Sequence, residues 1–153
     1  MKVPQEIVDK VVQVYKPNYR YLKSAEVDFP IARGRFQLGE TEYTETLQHV
    51  TDVEAQLCLN QLCYVFFGQG ILEKRWEGLE DLTLDKYLEL RKEGMFIVDS
   101  HKTFKREINP REPFDGQIQL MKVRRHNHIY VAKLDFDLDG GASVGELSLV
   151  LKH

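Results

Sequence analysis

The chain is short of cysteine, of positive charge and of long apolar runs, and each shortage removes a class of protein. Two cysteines, Cys58 and Cys63, are too few for a disulfide framework. Five apart on a helix they point about 140° away from each other, so they cannot pair. They read as small core residues, with a reactive thiol as the alternative. A formal net charge of -3 gives no global drive toward nucleic acid. The first residues, MKVPQEIVDK, carry charges and a proline where a signal peptide needs its apolar core, so a cytoplasmic location is expected. A phosphate-cradling loop, a nucleophile elbow and a Cys/His/Asp triad are also missing. His126 and His128 lack the carboxylate or cysteine spacing of a metal site, and no metal is expected.

What is present centres on His49 to Leu72, HVTDVEAQLCLNQLCYVFFGQGIL. Its apolar residues are too many for one stripe of a surface helix, so the helix must be buried nearly all round. Thr51 followed by Glu54 reads as a capping box that starts it, and Gly68 and Gly70 are expected to loosen its end. From Asp52 to Gly68, roughly 17 residues span about 25 Å, the depth of a small domain. Gln56, Asn60 and Gln61 interrupt the apolar run short of the length a bilayer needs, which assigns the helix to a protein interior and not to a membrane.

Before this stretch, Pro4 opens a short amphipathic helix through Tyr15 that Pro17 closes. Alternation from Tyr19 to Phe29 predicts a strand broken by Pro30, and Arg35 to Leu38 a second extended piece. After it, Glu77, Glu80 and Asp81 mark a solvated connection, and Thr83 caps a helix that Gly94 stops. Four extended runs follow: Met95 to Phe104, Gln117 to Arg125, Ile129 to Leu138 and Val144 to Leu151. His126-Asn127-His128 and Asp139-Gly140-Gly141 supply turns between them. One domain over residues 1–153 is expected, of class α+β: an antiparallel sheet whose apolar face wraps one long helix, the hot-dog fold. Asn60 and Gln61 are then anomalous, because an unsatisfied buried amide costs on the order of 1 to 3 kcal/mol.

The segment from Gly39 to Tyr64, GETEYTETLQHVTDVEAQLCLNQLCY, resembles the FcoT-like thioesterase family of hot-dog enzymes acting on long-chain fatty acyl thioesters. The likeness lies in Gly39-Glu40-Thr41 with Tyr43, in His49 with Glu54, and in Cys58-Leu59-Asn60-Gln61-Leu62 ending at Tyr64. Weaker echoes are Tyr15 with Arg20-Tyr21-Leu22, and Gly140-Gly141-Ala142 with Gly145-Glu146. The resemblance implies functional roles for Tyr43, Asn60 and Tyr15. Where the family pattern has an asparagine two residues after His49, this chain has Thr51, which keeps the capping role and leaves a direct chemical role for that side chain in doubt.

Thioester hydrolysis, which the resemblance implies, needs a polarised carbonyl, an activated water and a stabilised oxyanion. Asp52 or Glu54 at the helix start could act as base with His49 assisting, although capping and the helix dipole explain both carboxylates without chemistry. Asn60, two and a half turns in from Thr51, reaches the protein's middle, where its amide can hold a water or a substrate carbonyl or can serve as a core amide. Tyr43 could donate to the thioester oxygen. The substrate expected is an acyl-CoA or an acyl carrier protein thioester, with coenzyme A or phosphopantetheine entering only as part of the substrate and no separate cofactor. Lys102, Lys105, Arg106, Arg111, Lys122, Arg124 and Arg125 would suit a phosphate or an acidic carrier protein. Two alternatives stand beside hydrolysis: addition to or elimination from an enoyl thioester, including glycine addition, and non-catalytic acyl binding. A homodimer or a larger even assembly is expected, with neither nucleic acid nor a membrane span.

Overall fold

The computed structural model describes every residue except Thr41, Glu42, Thr44, Glu45 and Leu47. Thr41 of the Gly39-Glu40-Thr41 motif therefore lies outside the described residues. In chain order the elements are α1 (Gln5–Val12), a 3₁₀ turn (Pro17–Tyr19), β1 (Leu22–Asp28), β2 (Ile31–Phe36), α2 (Asp52–Leu72), α3 (Leu84–Gly94), β3 (Met95–Phe104), β4 (Phe114–His126), β5 (Ile129–Leu138) and β6 (Ser143–Lys152). The six strands form one antiparallel sheet in the order β1-β2-β4-β5-β6-β3. It wraps α2 in the hot-dog arrangement. No described helix is long and apolar enough to cross a membrane.

The burial of α2 follows from its composition. Ala55, Cys58, Leu59, Leu62, Cys63, Val65 and Phe66 lie in one core cluster with Phe36, Ile118, Leu134, Phe136 and Leu147 of the sheet's inner face. α1 and α3 cover the remaining side of the helix, through Val8, Val11 and Val12 and through Leu84, Tyr87 and Leu88. Gln61 is fully buried, and its amide is satisfied: Leu22 N donates to Oε1 at 3.0 Å and Nε2 donates to the Tyr19 carbonyl at 2.7 Å. One of the two anomalous amides thus fastens α2 to the start of β1.

The helix runs four residues past its expected end, to Leu72, with Gly68 and Gly70 inside it. These glycines make room for neighbours. Gly68 faces the Tyr87 ring and Gly70 lies against the Trp76 indole, whose Nε1 donates to the Phe67 carbonyl at 3.0 Å. A methyl group at position 70 would overlap the indole. Gly70→Ala is therefore expected to destabilise the protein by about 1 to 3 kcal/mol despite alanine's better helix propensity. A thermal melt that matches the wild type would show that Trp76 can move aside.

The early strands are shifted from their expected places. Pro17 starts a 3₁₀ turn that takes up Tyr19, so β1 begins at Leu22. The second piece runs from Ile31 because Pro30 sits in the connection of a hairpin in which Asp28 faces Ile31. β4 starts at Phe114, three residues early, since Phe114 pairs with Phe36 on β2. Asn127, Asp139, Gly140 and Gly141 take positive φ in the two turns expected there. β3 is an edge strand with Phe96 and Val98 exposed on it.

Candidate active site

Polar groups on α2 form two clusters on different faces. At the helix mouth, Thr51 is the N-cap and the fully buried Glu54 side chain accepts from its backbone N–H at 2.8 Å. The Thr51 hydroxyl donates to the two Glu54 oxygens at 2.8 and 2.7 Å, and the Tyr43 hydroxyl donates to Glu54 Oε2 at 2.6 Å. Glu54 is therefore occupied by structural donors. Tyr43 stacks on Tyr19 with ring centroids 6.4 Å apart. Although 49% of Tyr43 is exposed, burial of its hydroxyl end and the bond to Glu54 push its pKa upward. The Tyr21 hydroxyl, buried and without a hydrogen bond of good geometry among the described residues, lies close to Tyr43, and burial raises it to about 12. His49 is exposed in a surface groove that it shares with Thr51, Asp52 and Phe104 to Glu107, and it makes no hydrogen bond to Glu54 among the described residues.

The second cluster lies two turns further along. Gln56 Nε2 donates to Asn60 Oδ1 at 2.8 Å. Tyr15, carried in by the turn after α1, places its hydroxyl beside the Asn60 amide and Tyr64. The Arg91 guanidinium of α3 lies over the Tyr64 ring, 4.8 Å from its centroid, and Tyr87 donates to the Tyr64 carbonyl at 2.8 Å. Arg91 is buried, and its Nε and Nη1 have no hydrogen-bond partner among the described residues. Burial and the nearby Tyr64 push the Tyr15 pKa up against the opposing pull of Arg91, so its hydroxyl stays protonated at neutral pH.

Between α2 and the edge of the sheet is a cleft of about 370 Å³, lined by Gln56, Asn60, Cys63 and Tyr64 on one side and by Met95, Phe96, Ile97 and Leu149 on the other. A larger groove of about 510 Å³ runs over the outer face of β1, β2 and β4 among charged residues, far from either cluster. The Asn60 cleft has the mostly apolar walls and few polar groups typical of a small-molecule site. Cys63 in its wall is no nucleophile, because burial raises its thiol from the ordinary 9.0 to about 12. The raised pKa also sets an alkaline limit on stability. Above about pH 9 the unfolded chain releases the Cys63 proton while the folded chain keeps it, so stability is intact below pH 9 and falls toward pH 12. Melts from pH 8 to 11 should show this decline, and it should be shallower in Cys63→Ala; identical slopes would assign the decline to other groups.

Of the residues singled out from the sequence, Tyr15 and Asn60 come together, Tyr43, Thr51 and Glu54 come together, and His49 joins neither group. Glu54 and Asn60 are separated by about 9 Å of helix rise and face different sides. Gln56 and Tyr64 escaped notice as functional residues, although with Asn60 they form an i, i+4, i+8 stripe on one helix face. Arg91 has no local sequence signal. The basic residues form no single patch: Lys102 turns inward to Asp52 at 3.1 Å, Arg106 pairs with Asp139 at 3.0 Å, and Arg124 and Arg125 lie at the opposite end of the sheet.

The family described as "FcoT-like thioesterase domain" matches residues 10–151. A (2E)-enoyl-ACP glycyltransferase from Mycobacterium marinum is 29% identical over 96% of this chain and 85% of its own length. Among solved structures, thioesterase PA1618 from Pseudomonas aeruginosa superposes with a TM-score of 0.57 at 9% identity, covering 99% of this chain and 96% of that one. The dehydratase domain of RzxB from Pseudomonas fluorescens gives 0.57 at 13% identity; this chain is covered over 99% of its length but spans only 47% of that one. At these identities the likeness to the solved structures is one of fold.

Proposed function

From the premise that this chain belongs to the FcoT-like thioesterase domain family, we infer that it is an enzyme of acyl thioesters that adds the amine of a small amino acid such as glycine to a 2-enoyl thioester. The observation that carries this reading is the make-up of the Asn60 cleft. Its wall offers neutral hydrogen-bonding groups, and among the described residues it contains no carboxylate and no imidazole. Hydrolysis needs a base to activate water. Of the two carboxylates at the helix start, Glu54 is held by Thr51 and Tyr43 on another face of the helix, and Asp52 is exposed and paired with Lys102. An amine in its free-base form is already a nucleophile, so the protein need only place it and stabilise the charge that develops on the thioester oxygen.

In this reaction the amine nitrogen bonds to the β-carbon and the double-bond electron pair moves to form an enolate. Asn60 and Tyr15 stabilise the enolate oxygen by donating hydrogen bonds. The proton given up by the amine ends on the α-carbon, and the carbon–sulfur bond stays intact. The name of the 29% identical relative supports this reaction and a carrier-protein thioester; the family description supports thioester substrates in general. The apolar residues exposed on edge strand β3, which borders the cleft, suit a homodimer or larger even assembly that covers the site.

The test is incubation with a trans-2-enoyl thioester and its saturated counterpart, each with and without glycine, following both product mass and free thiol. A glycine adduct from the enoyl substrate without thiol release is the expected result. Thiol release from the saturated substrate would make the protein a hydrolase. Sedimentation as a monomer would remove the shared-edge assembly.

A further inference from the structure

The Asn60 carboxamide can be turned in two ways, and its neighbours select one of them. Lys102 on β3 has a side chain only 7% exposed, directed inward under the helix. Its ammonium donates to Gln56 Oε1 and to Ser100 Oγ, the latter at 2.8 Å, and pairs with Asp52 at 3.1 Å. Ser100 Oγ also donates to Gln56 Oε1, at 2.9 Å. An ammonium has no acceptor, so the Gln56 oxygen must face Lys102 and the Gln56 amide nitrogen must face Asn60. That nitrogen only donates. Asn60 therefore turns Oδ1 toward Gln56, at 2.8 Å, and Nδ2 toward Tyr15 and the cleft.

We propose that Lys102 and Gln56 are positioning residues that, through this chain of donors, hold Asn60 as a hydrogen-bond donor to the substrate's thioester oxygen. The assignment rests on the reading of the Asn60 cleft as the reaction site. It gives a purpose to a lysine whose side chain is largely covered on an edge strand, where an inward charge otherwise serves only to prevent edge-to-edge pairing. An amide turned the other way would present an oxygen to the developing enolate and repel it. Asn60 Nδ2 also lies toward the Tyr15 oxygen, and the Tyr15 hydroxyl in turn lies beside Tyr64.

The decisive variant is Gln56→Glu. It keeps the shape and the contact with Lys102 but has no N–H for Asn60, so the Asn60 amide should turn over and donate to the new carboxylate. Turnover of trans-2-decenoyl coenzyme A with glycine should fall about 10- to 100-fold with KM nearly unchanged, and thermal stability should hold. Lys102→Met should fall by a similar factor, with Lys102→Arg recovering part of the rate. A readout independent of catalysis is the Asn60 side-chain amide in a ¹⁵N spectrum: its proton contacts to the Tyr15 ring should be present in the wild type and lost in Gln56→Glu. Contacts that persist in the variant overturn the proposal, as does an unchanged rate in both variants when Asn60→Ala is impaired. An active Asn60→Ala would instead remove Asn60 from the reaction itself, whatever its orientation.

Discussion

Asn60→Ala is expected to lower turnover by a factor of about 100 to 1000, the usual cost of removing one preorganised donor to a developing oxyanion. The loss should fall on kcat more than on KM, because the bond to the oxygen strengthens as charge moves onto it. Folding should survive. Alanine is a good helix former, and the Gln56 amide left behind is half-exposed and can bond to water. Tyr15→Phe should lose about 10- to 100-fold, and the double variant should lose less than the product of the two, since both groups serve one oxygen. A wild-type rate in Asn60→Ala would move the chemistry out of this cleft and back to the helix mouth.

The second large effect concerns stability. Glu54 accepts from the Thr51 backbone, the Thr51 hydroxyl and Tyr43 while fully buried. Glutamine in its place keeps one oxygen but turns an NH₂ group toward donors, leaving at least one of them unsatisfied. Glu54→Gln is expected to cost about 2 to 4 kcal/mol, the sum of a lost charge-assisted bond and an orphaned buried donor. For a chain of this length that lowers the melting temperature by about 4 to 16 °C. Below its melting range the variant should turn over within about 10-fold of wild type. A far larger loss in the folded variant would give Glu54 a part in the reaction beyond holding the helix start.

Much of the fold was legible in the sequence. Extended runs bounded by turn residues located β3 and β5, with Met95, Phe104, Ile129 and Leu138 at their ends, and in β5 the alternation of a half-buried strand is a strong local signal. Glycine chemistry misled at the end of α2. Gly68 and Gly70 read as loosening residues, while their role is set by Tyr87 and Trp76, which arrive from later in the chain. The site was legible in the same uneven way. Thr51 with Glu54 is a contact within one helix turn and could be read directly, and Asn60 stood out as an amide in an apolar run. That Tyr15 would meet Asn60 while Tyr43 met Glu54 depends on where the turn after α1 and the segment before α2 are laid, which no local pattern encodes. Arg91 and Lys102 reach the cleft region from α3 and β3, and only tertiary packing brings them there.

A helix that is apolar all round also imposes an order of assembly. α2 ends at Leu72, yet four of the six strands that enclose it begin at Met95 or later. During synthesis at about 5 to 20 residues per second, the helix is made several seconds before the sheet can close over it. In that interval Cys58, Leu59, Leu62, Val65 and Phe66 have only α1, α3 and the β1–β2 hairpin to pack against. The final closure joins residues far apart in sequence, which slows folding relative to a helical bundle of the same size. The same all-round burial that stabilises the folded chain leaves the nascent one in need of whatever shields exposed apolar helices.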